Sequence, residues 1–417
     1  MKTARSDLAW LAVIVAIGLN LRPLLTSISP LTGVILKSTG LTFHGASLLT
    51  GLPVVAMGVC AFGASALARL VGEARGVAAG LVAIMCACAA RLFIDSGSVL
   101  IASAAVAGVG VAVIQALLPG VMKTRFAARL PFAMGVYSAS IMAGGGLGAS
   151  VTPGVAAHFS WHAGLAVWAV PALIALALWG WLVRRGDGDG VGAVRSSRAA
   201  AAPPLLLLNR RAWLLGIYFG LVNGGYTCLV AWLPAYYQQL GRSVTQSGAL
   251  LAIATVFQAS SALLLPMAAA RSRDRRPWLA AGLVAQLAGF VALLAAPMAA
   301  PVLIVALLGG GLGGVFALTL VLTLDHTDDP RLAARLVAFV QGVGFVIAAV
   351  APIVAGIVRD ATGGFTVSWM MLVASLVAMI ALTLVFSPRS YANAMRGHAG
   401  DMKRAKARQT RRVAEET

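Results

Sequence analysis

Charge is scarce in this sequence, and acid is scarcest. Charged residues make up 11% of the 417 positions, and only 13 are Asp or Glu. All of these lie outside the centres of the long apolar runs described below. The nearest, Asp95, Asp325 and Asp360, fall at their ends. A proton relay of buried carboxylates is therefore not supported. The four cysteines, Cys60, Cys86, Cys88 and Cys228, all fall inside apolar runs, and Cys86-Ala87-Cys88 is not a Cys-x-x-Cys motif. They read as small buried hydrophobes, not as disulfides or metal ligands. No Gly-Lys-Ser/Thr follows the glycine runs, which argues against a phosphate loop, and no transport ATPase motif is present. His158 and His162 have the i, i+4 spacing of a zinc pair but no third ligand close by. The Asp-Gly run at 186–190 lacks the ligand spacing and terminal acid of a calcium loop. With no catalytic dyad, metal set or cofactor motif, neither an enzyme nor a cofactor is expected.

What the chain has in abundance is apolar length. It is 60% hydrophobic with a mean hydropathy of +0.90, far above a soluble domain. Twelve runs of about 20 residues or more read as membrane helices: roughly 8–36, 44–70, 76–94, 98–122, 131–157, 161–183, 212–238, 245–270, 277–296, 300–324, 333–358 and 365–387. The first mimics a signal peptide, but it continues past Pro23 to Leu36 without an Ala-x-Ala cleavage site, so it is kept as helix 1.

The net charge of +19 could point to nucleic acid, but its distribution argues for a membrane. Of the 32 Lys and Arg, all but Lys37, Arg91, Arg242, Arg359 and Arg22 fall in the segments on the N-terminal side of the bundle. This positive-inside bias places both termini in the cytoplasm. The basic tail and loops then face anionic lipid headgroups, and no nucleic-acid partner is expected.

The longest connection, Arg184 to Arg211, carries Gly, Asp, Ala and Pro and reads as a hydrophilic linker. It divides the chain into residues 1–184, a six-helix bundle; 185–211, a cytoplasmic linker; 212–388, a second six-helix bundle; and 389–417, a basic tail. Two repeats support the division. Arg125-Phe-Ala-Ala-Arg129-Leu130 before helix 5 recurs as Arg331-Leu-Ala-Ala-Arg335-Leu336 before helix 11. Thr42-Phe-His-Gly45-Ala46 before helix 2 is matched by Thr245-Gln-Ser-Gly248-Ala249 before helix 8. The second offset sets Asn20 over Asn223. Both lay helix n on helix n+6, a parallel two-halves repeat.

The most informative stretch is Asn20-Leu21-Arg22-Pro23, in the middle of helix 1. A charge at a helix centre costs roughly 2.5 to 3.5 kcal/mol on insertion scales, and such groups usually face a cavity or the bundle interior. Pro23 removes a backbone donor and kinks the helix there. Arg22 thus looks into a substrate path, or else is a structural arginine held by neighbouring carbonyls.

The chain resembles the major facilitator superfamily, and within it the group of cyanate and nitroimidazole transporters. The resemblance spans about residues 8 to 388. It rests on Gly18-Leu-Asn20-Leu-Arg22-Pro23, Leu49-Thr-Gly-Leu-Pro53, Gln115-Ala-Leu-Leu-Pro119 and Gly135-Val-Tyr137-Ser138. In the second half it rests on Trp232-Leu-Pro234, Asp274-Arg275-Arg276-Pro277, Gln341-Gly342-Val-Gly344-Phe345 and Pro352-Ile-Val-Ala-Gly356. Ala68 stands where the superfamily usually has an aspartate between helices 2 and 3, and Glu73 with Arg75 and Asp274 with its arginines are the available substitutes. The resemblance implies an all-α polytopic fold of twelve helices in two pseudo-symmetric six-helix bundles, with substrate near the midplane. It implies a monomer in the bacterial cytoplasmic (inner) membrane that works by alternating access.

In that fold, the polar residues near the centres of cavity-lining helices are Asn20, Arg22, Gln115, Tyr137, Ser138, Asn223, Tyr226, Gln258 and Gln341. Arginine offers a fixed cation and a fork of donors suited to planar anions. Asn and Gln add amide donors, and the tyrosines and Trp232 can stack or donate. Each has a structural alternative, as interhelical glue or as an interfacial anchor. The glycine runs 144–148 and 309–314 read as close helix packing or as a sliding surface for alternating access. The expected function is a secondary active or facilitative transporter for a small anion or a small planar organic solute. A multidrug exporter of the same fold is the alternative.

Overall fold

The computed structural model describes residues 2–126, 130–184, 204–327 and 330–391. Among the described residues there are helices and no strand. Twelve elements run back and forth in turn. The first, α1, covers Lys2 to Thr39 in pieces: Lys2–Leu19, Pro23–Thr26, a 3-10 turn at Ser29–Leu31, and Thr32–Thr39. Then come α2 (Phe43–Val71), α3 (Glu73–Ala90), α4 (Gly97–Arg125), α5 (Leu130–His158) and α6 (Trp161–Ala166 continued by Ala169–Arg184). A short helix, Pro204–Leu207, leads into α7 (Arg210–Gln239). The rest are α8 (Val244–Ala269), α9 (Arg276–Ala295), α10 (Pro301–Leu324), α11 (Pro330–Thr362) and α12 (Thr366–Thr383). Eleven of the twelve are long and apolar enough to cross a membrane. The twelfth, α5, is 29 residues long, but serines and a glycine run dilute its hydropathy. Twelve elements match the expectation from the sequence. Most of the linker and the basic tail lie outside the described residues.

Local chemistry starts several of these helices. Asn209 accepts hydrogen bonds from the Arg211 and Ala212 amides, and Ser160 accepts one from Ala163. Ser243 and Gln246 form a reciprocal capping box at the start of α8. Six prolines sit inside helices, at Pro53, Pro119, Pro153, Pro234, Pro266 and Pro352. Membrane helices tolerate them because neighbouring groups satisfy the freed carbonyls. One such case is visible: the Thr227 hydroxyl donates at 2.8 Å to Ala348 O, the carbonyl four residues before Pro352.

The packing repeats. In the first half α1 packs on α5 and α6, α2 on α4, and α3 on α4 and α6. In the second half α7 packs on α11 and α12, α8 on α10, and α9 on α10 and α12. Adding six to each number of the first set gives the second. Glycines repeat with them. A Cβ on Gly80 would press on Gly110 O, and one on Gly110 would press on Gly80 O. The same reciprocal approach joins Gly282 and Gly311. Between halves the main contacts are α2 with α11 and α5 with α8, and the six-helix shift exchanges these two pairs. The molecule is therefore two six-helix bundles related by a pseudo-twofold axis.

An even number of crossings puts both ends of the described chain at one end of the bundle, here the terminal end. The opposite, far end is closed across the halves. Asp360, at the end of α11, accepts hydrogen bonds from the backbone amides of Phe43 (3.0 Å) and His44 (2.8 Å) at the start of α2. The Arg359 guanidinium stacks over Phe43 at 4.6 Å and Phe365 at 5.1 Å. Gln238 of α7 donates to Pro30 O of α1 at 2.8 Å. His162 of α6 meets Asp95 at 3.0 Å, a contact within the first half. At the terminal end the ion pairs join elements of one half: Asp7 with Arg125 at 2.9 Å, and Asp325 with Arg275 at 2.9 Å. Asp274 pairs with Arg276 at 2.7 Å, and these hydrogen bonds hold the Asp274 carboxyl below its ordinary range. Glu73 turns toward Gly120 of α4. His326 stacks on Tyr391 at 4.1 Å, and burial holds its imidazole down to about 4. The Cys86 thiol, expected to be buried, is exposed on the outer face of α3, while Cys88 and Cys228 are buried as anticipated.

Candidate functional site

The break in α1 builds the site. Asn20 N and Leu21 N donate to Ile17 O and Gly18 O at 3.0 and 3.1 Å, closing the helix with a tight last turn. Pro23 has no amide to continue it, and its ring would clash with a helical carbonyl four residues back. The chain restarts with Arg22 as N-cap and Pro23 at N1. Leu25 N and Thr26 N then donate to Arg22 O at 3.0 and 3.2 Å.

The broken segment has room because α5 has almost no side chains opposite it. Ser140, Gly144 and Gly148, spaced four apart, form one stripe. A Cβ on Gly144 would fall onto the Leu19 carbonyl, and one on Gly148 would meet Pro23 and Thr26. Close packing is thus what this glycine run does here. In α10, Gly309 and Gly313 likewise abut the carbonyls of Ala254 and Gln258 in α8.

Four of the residues anticipated from the sequence line one cavity. They are Arg22, Asn223, Tyr226 and Gln258, joined by Met142, Val222, Leu312 and Phe316. The room left for the centre of a water-sized guest is about 10 Å³, close to the minimum for one water. Arg22 is 7% exposed, and its Nε has no hydrogen-bond partner. Its guanidinium lies 4.9 Å from the centroid of the Tyr226 ring. No carboxylate pairs with it among the described residues. Tyr137 is buried beside Arg22 with its hydroxyl unpartnered.

The remaining candidates fall elsewhere. Asn20 faces away from the cavity: its Nδ2 donates to Ala16 O at 2.8 Å and to Pro171 O of α6 at 3.1 Å. Asn223 makes the equivalent bond to Phe219 O at 2.9 Å and still borders the cavity. Trp232 belongs to the far-end aromatic cluster, with ring centroids 5.7 Å from Phe43 and 5.8 Å from Phe365. Gln115 and Gln341 are half-buried on α4 and α11 and do not line this cavity, and Ser138 is exposed. The apolar wall was missed because a search for polar groups passes over it. Its place shows only in the contacts: Gly309 and Gly313 of α10 face α8, so Leu312 and Phe316, also four apart, occupy another face.

A fixed cation, two amide side chains and two aromatic rings around a small space suit a small, planar or linear anion. The guanidinium supplies charge and directional donors, while the apolar wall excludes water.

Comparison with known proteins agrees with this architecture. The chain is 45% identical over 379 residues to the cyanate transport protein CynX of Escherichia coli (strain K12), covering 91% of this chain and 97% of that one. It is 29% identical over 371 residues to the 2-nitroimidazole transporter of the same organism, covering 88% and 92%. Among solved structures, a bacterial homolog of the human lysosomal transporter Spinster superposes with a TM-score of 0.77 at 14% identity. That match covers 94% of this chain and 98% of the other, a likeness of fold. The family model of the Major Facilitator Superfamily matches residues 8–336. The chain is therefore an integral membrane protein and a transporter, and it belongs to the Major Facilitator Superfamily.

Proposed function

We propose that this protein carries a small monovalent anion of the cyanate class across the bacterial inner membrane by alternating access. The observation that carries the reading is Arg22: a buried cation at the break of α1, bordering a small cavity, with no carboxylate partner among the described residues. Arg22 anchors the anion, Tyr226 holds the guanidinium plane, and Asn223 and Gln258 supply amide groups to the ligand. The relative named for cyanate transport supports the choice of ligand class. Both termini lie in the cytoplasm, with the basic segments at the terminal end facing anionic lipids. The protein works as a monomer of two bundles, 1–184 and 212–388, joined by the 185–211 linker.

A second reading has its own support. The Tyr226 and Phe316 rings border the cavity, and one relative is named for 2-nitroimidazole, so a planar, electron-rich heterocycle could occupy the same place. A multidrug exporter is not favoured by a cavity this small or by either relative. The test is uptake of labelled cyanate and of 2-nitroimidazole into proteoliposomes by the wild type and by Arg22→Ala. Cyanate uptake that requires Arg22 is expected. Uptake of 2-nitroimidazole alone selects the second reading, and normal cyanate transport by Arg22→Ala makes Arg22 structural.

A further inference from the structure

Resting on the anion reading, we infer that this transporter is an obligatory anion exchanger, in which the empty carrier returns far more slowly than the loaded one. The argument begins with what surrounds Arg22. The polar side chains nearest to it, Tyr137, Asn223, Tyr226 and Gln258, are all neutral. Gly145 of α5, whose Cβ would sit 3.4 Å from Arg22 Cβ, brings no side chain at all. No carboxylate occupies the centre of any membrane run, so none is near enough to swing in when the site is vacant. The guanidinium rests on one ring face, and its Nε is unsatisfied.

Alternating access takes this site through a state closed at both ends. The far end is already closed by Asp360 on the amides of Phe43 and His44, and by Gln238 on Pro30 O. Closing the terminal end over an empty site strands a lone cation in a space about one water wide. A buried charge without a counter-charge is strongly disfavoured. With a monovalent anion on the guanidinium the occluded site is neutral, and the same closure proceeds. The bound anion is thus the missing counter-ion of the fold, and the carrier changes sides rapidly only with one aboard. The insertion cost of an arginine at a helix centre corresponds to a rate difference on the order of 100-fold between loaded and empty return.

Charge movement follows from the same accounting. The loaded carrier moves no net charge, so exchange of one anion for another is electroneutral. Net uptake must return the empty carrier with its uncompensated Arg22, so it responds to membrane potential.

The experiment uses the full-length wild-type protein in proteoliposomes, either empty or preloaded with unlabelled cyanate, with labelled cyanate added outside. Preloading is expected to raise the initial uptake rate at least ~10-fold, a conservative bound on the difference above. A potassium diffusion potential should change the rate in empty vesicles and leave the rate in loaded vesicles unaltered. Equal rates in empty and loaded vesicles overturn exchange while leaving the anion reading intact. Absence of uptake in both overturns the anion reading and the exchange proposal together.

Discussion

The middle of α1 and the middle of α7 hold matching asparagines and do different things with them. Asn20 and Asn223 each donate to the carbonyl four residues back, at 2.8 and 2.9 Å. After Asn20 comes Arg22-Pro23, and the helix breaks. After Asn223 comes Gly224-Gly225-Tyr226, and α7, 30 residues long, continues unbroken to Gln239. The break directs a cation toward the axis, and the intact helix places a ring 4.9 Å beneath it. Equivalent helices of a duplicated fold can thus divide the work, one supplying charge by yielding its hydrogen bonds and the other supplying a rigid platform by keeping them. Asn20 also reaches Pro171 O of α6, which ties the helix down just before it breaks. Asn223 needs no second tie.

The largest test of this division is Gly144→Leu. The new side chain would meet the Leu19 backbone at the break, whereas the close approach of Gly344 in α11 to Gly216 O and Gly220 N falls on the unbroken part of α7. Overpacking of this kind costs about 1 to 3 kcal/mol. Melting temperature should fall by several degrees, and uptake should fall by about 100-fold as Arg22 loses its place. If Gly144→Leu transports normally, α1 does not depend on the α5 stripe. Next is Arg22→Lys, which keeps the charge and loses the planar fork and its stacking. Apparent affinity for cyanate should fall by about 10-fold, equivalent to ~1.4 kcal/mol. An unchanged KM would mean that charge alone suffices. Smaller still is Tyr226→Leu, which removes a cation–π contact of about 0.5 to 2 kcal/mol. A KM increase of roughly 2- to 30-fold is expected, with Tyr226→Phe close to wild type. Equal values for Leu and Phe would remove the platform role. The smallest contrast is between Asn20→Ala and Asn223→Ala. A membrane hydrogen bond averages about 0.6 kcal/mol, and Asn20 makes one more than Asn223 does. Asn20→Ala should melt a degree or two lower than Asn223→Ala, and the reverse order would contradict the tie to α6.

Much of the architecture was legible in the sequence because the membrane constrains it. Backbone groups in lipid must pair within a helix, so twelve apolar runs became twelve helical elements. The kink at Pro23 was legible because proline lacks the donor that would continue the helix. The repeat offset set Asn20 over Asn223, each of which donates to the carbonyl four residues back, and four of the anticipated residues meet in one cavity. What was illegible is rotation about each helix axis. Depth along a membrane helix can be counted, but a uniformly apolar helix has no polar face to show which way it points. Asn20 and Trp232 therefore lay at plausible depths and faced elsewhere. Leu312 and Phe316 were hidden beside conspicuous glycines, and only the contacts of those glycines with α8 reveal the face that Leu312 and Phe316 occupy.

The far-end closure has a consequence for mutational surveys. Asp360 contributes a side chain, but its partners in α2 contribute only main-chain amides. Every substitution at position 44 except proline leaves that donor in place, and the His44 side chain is exposed. A saturation library should therefore score position 360 as intolerant and position 44 as permissive, with proline as the lone exception. Half of this gate is written in the peptide backbone, where single-residue replacement barely reaches it.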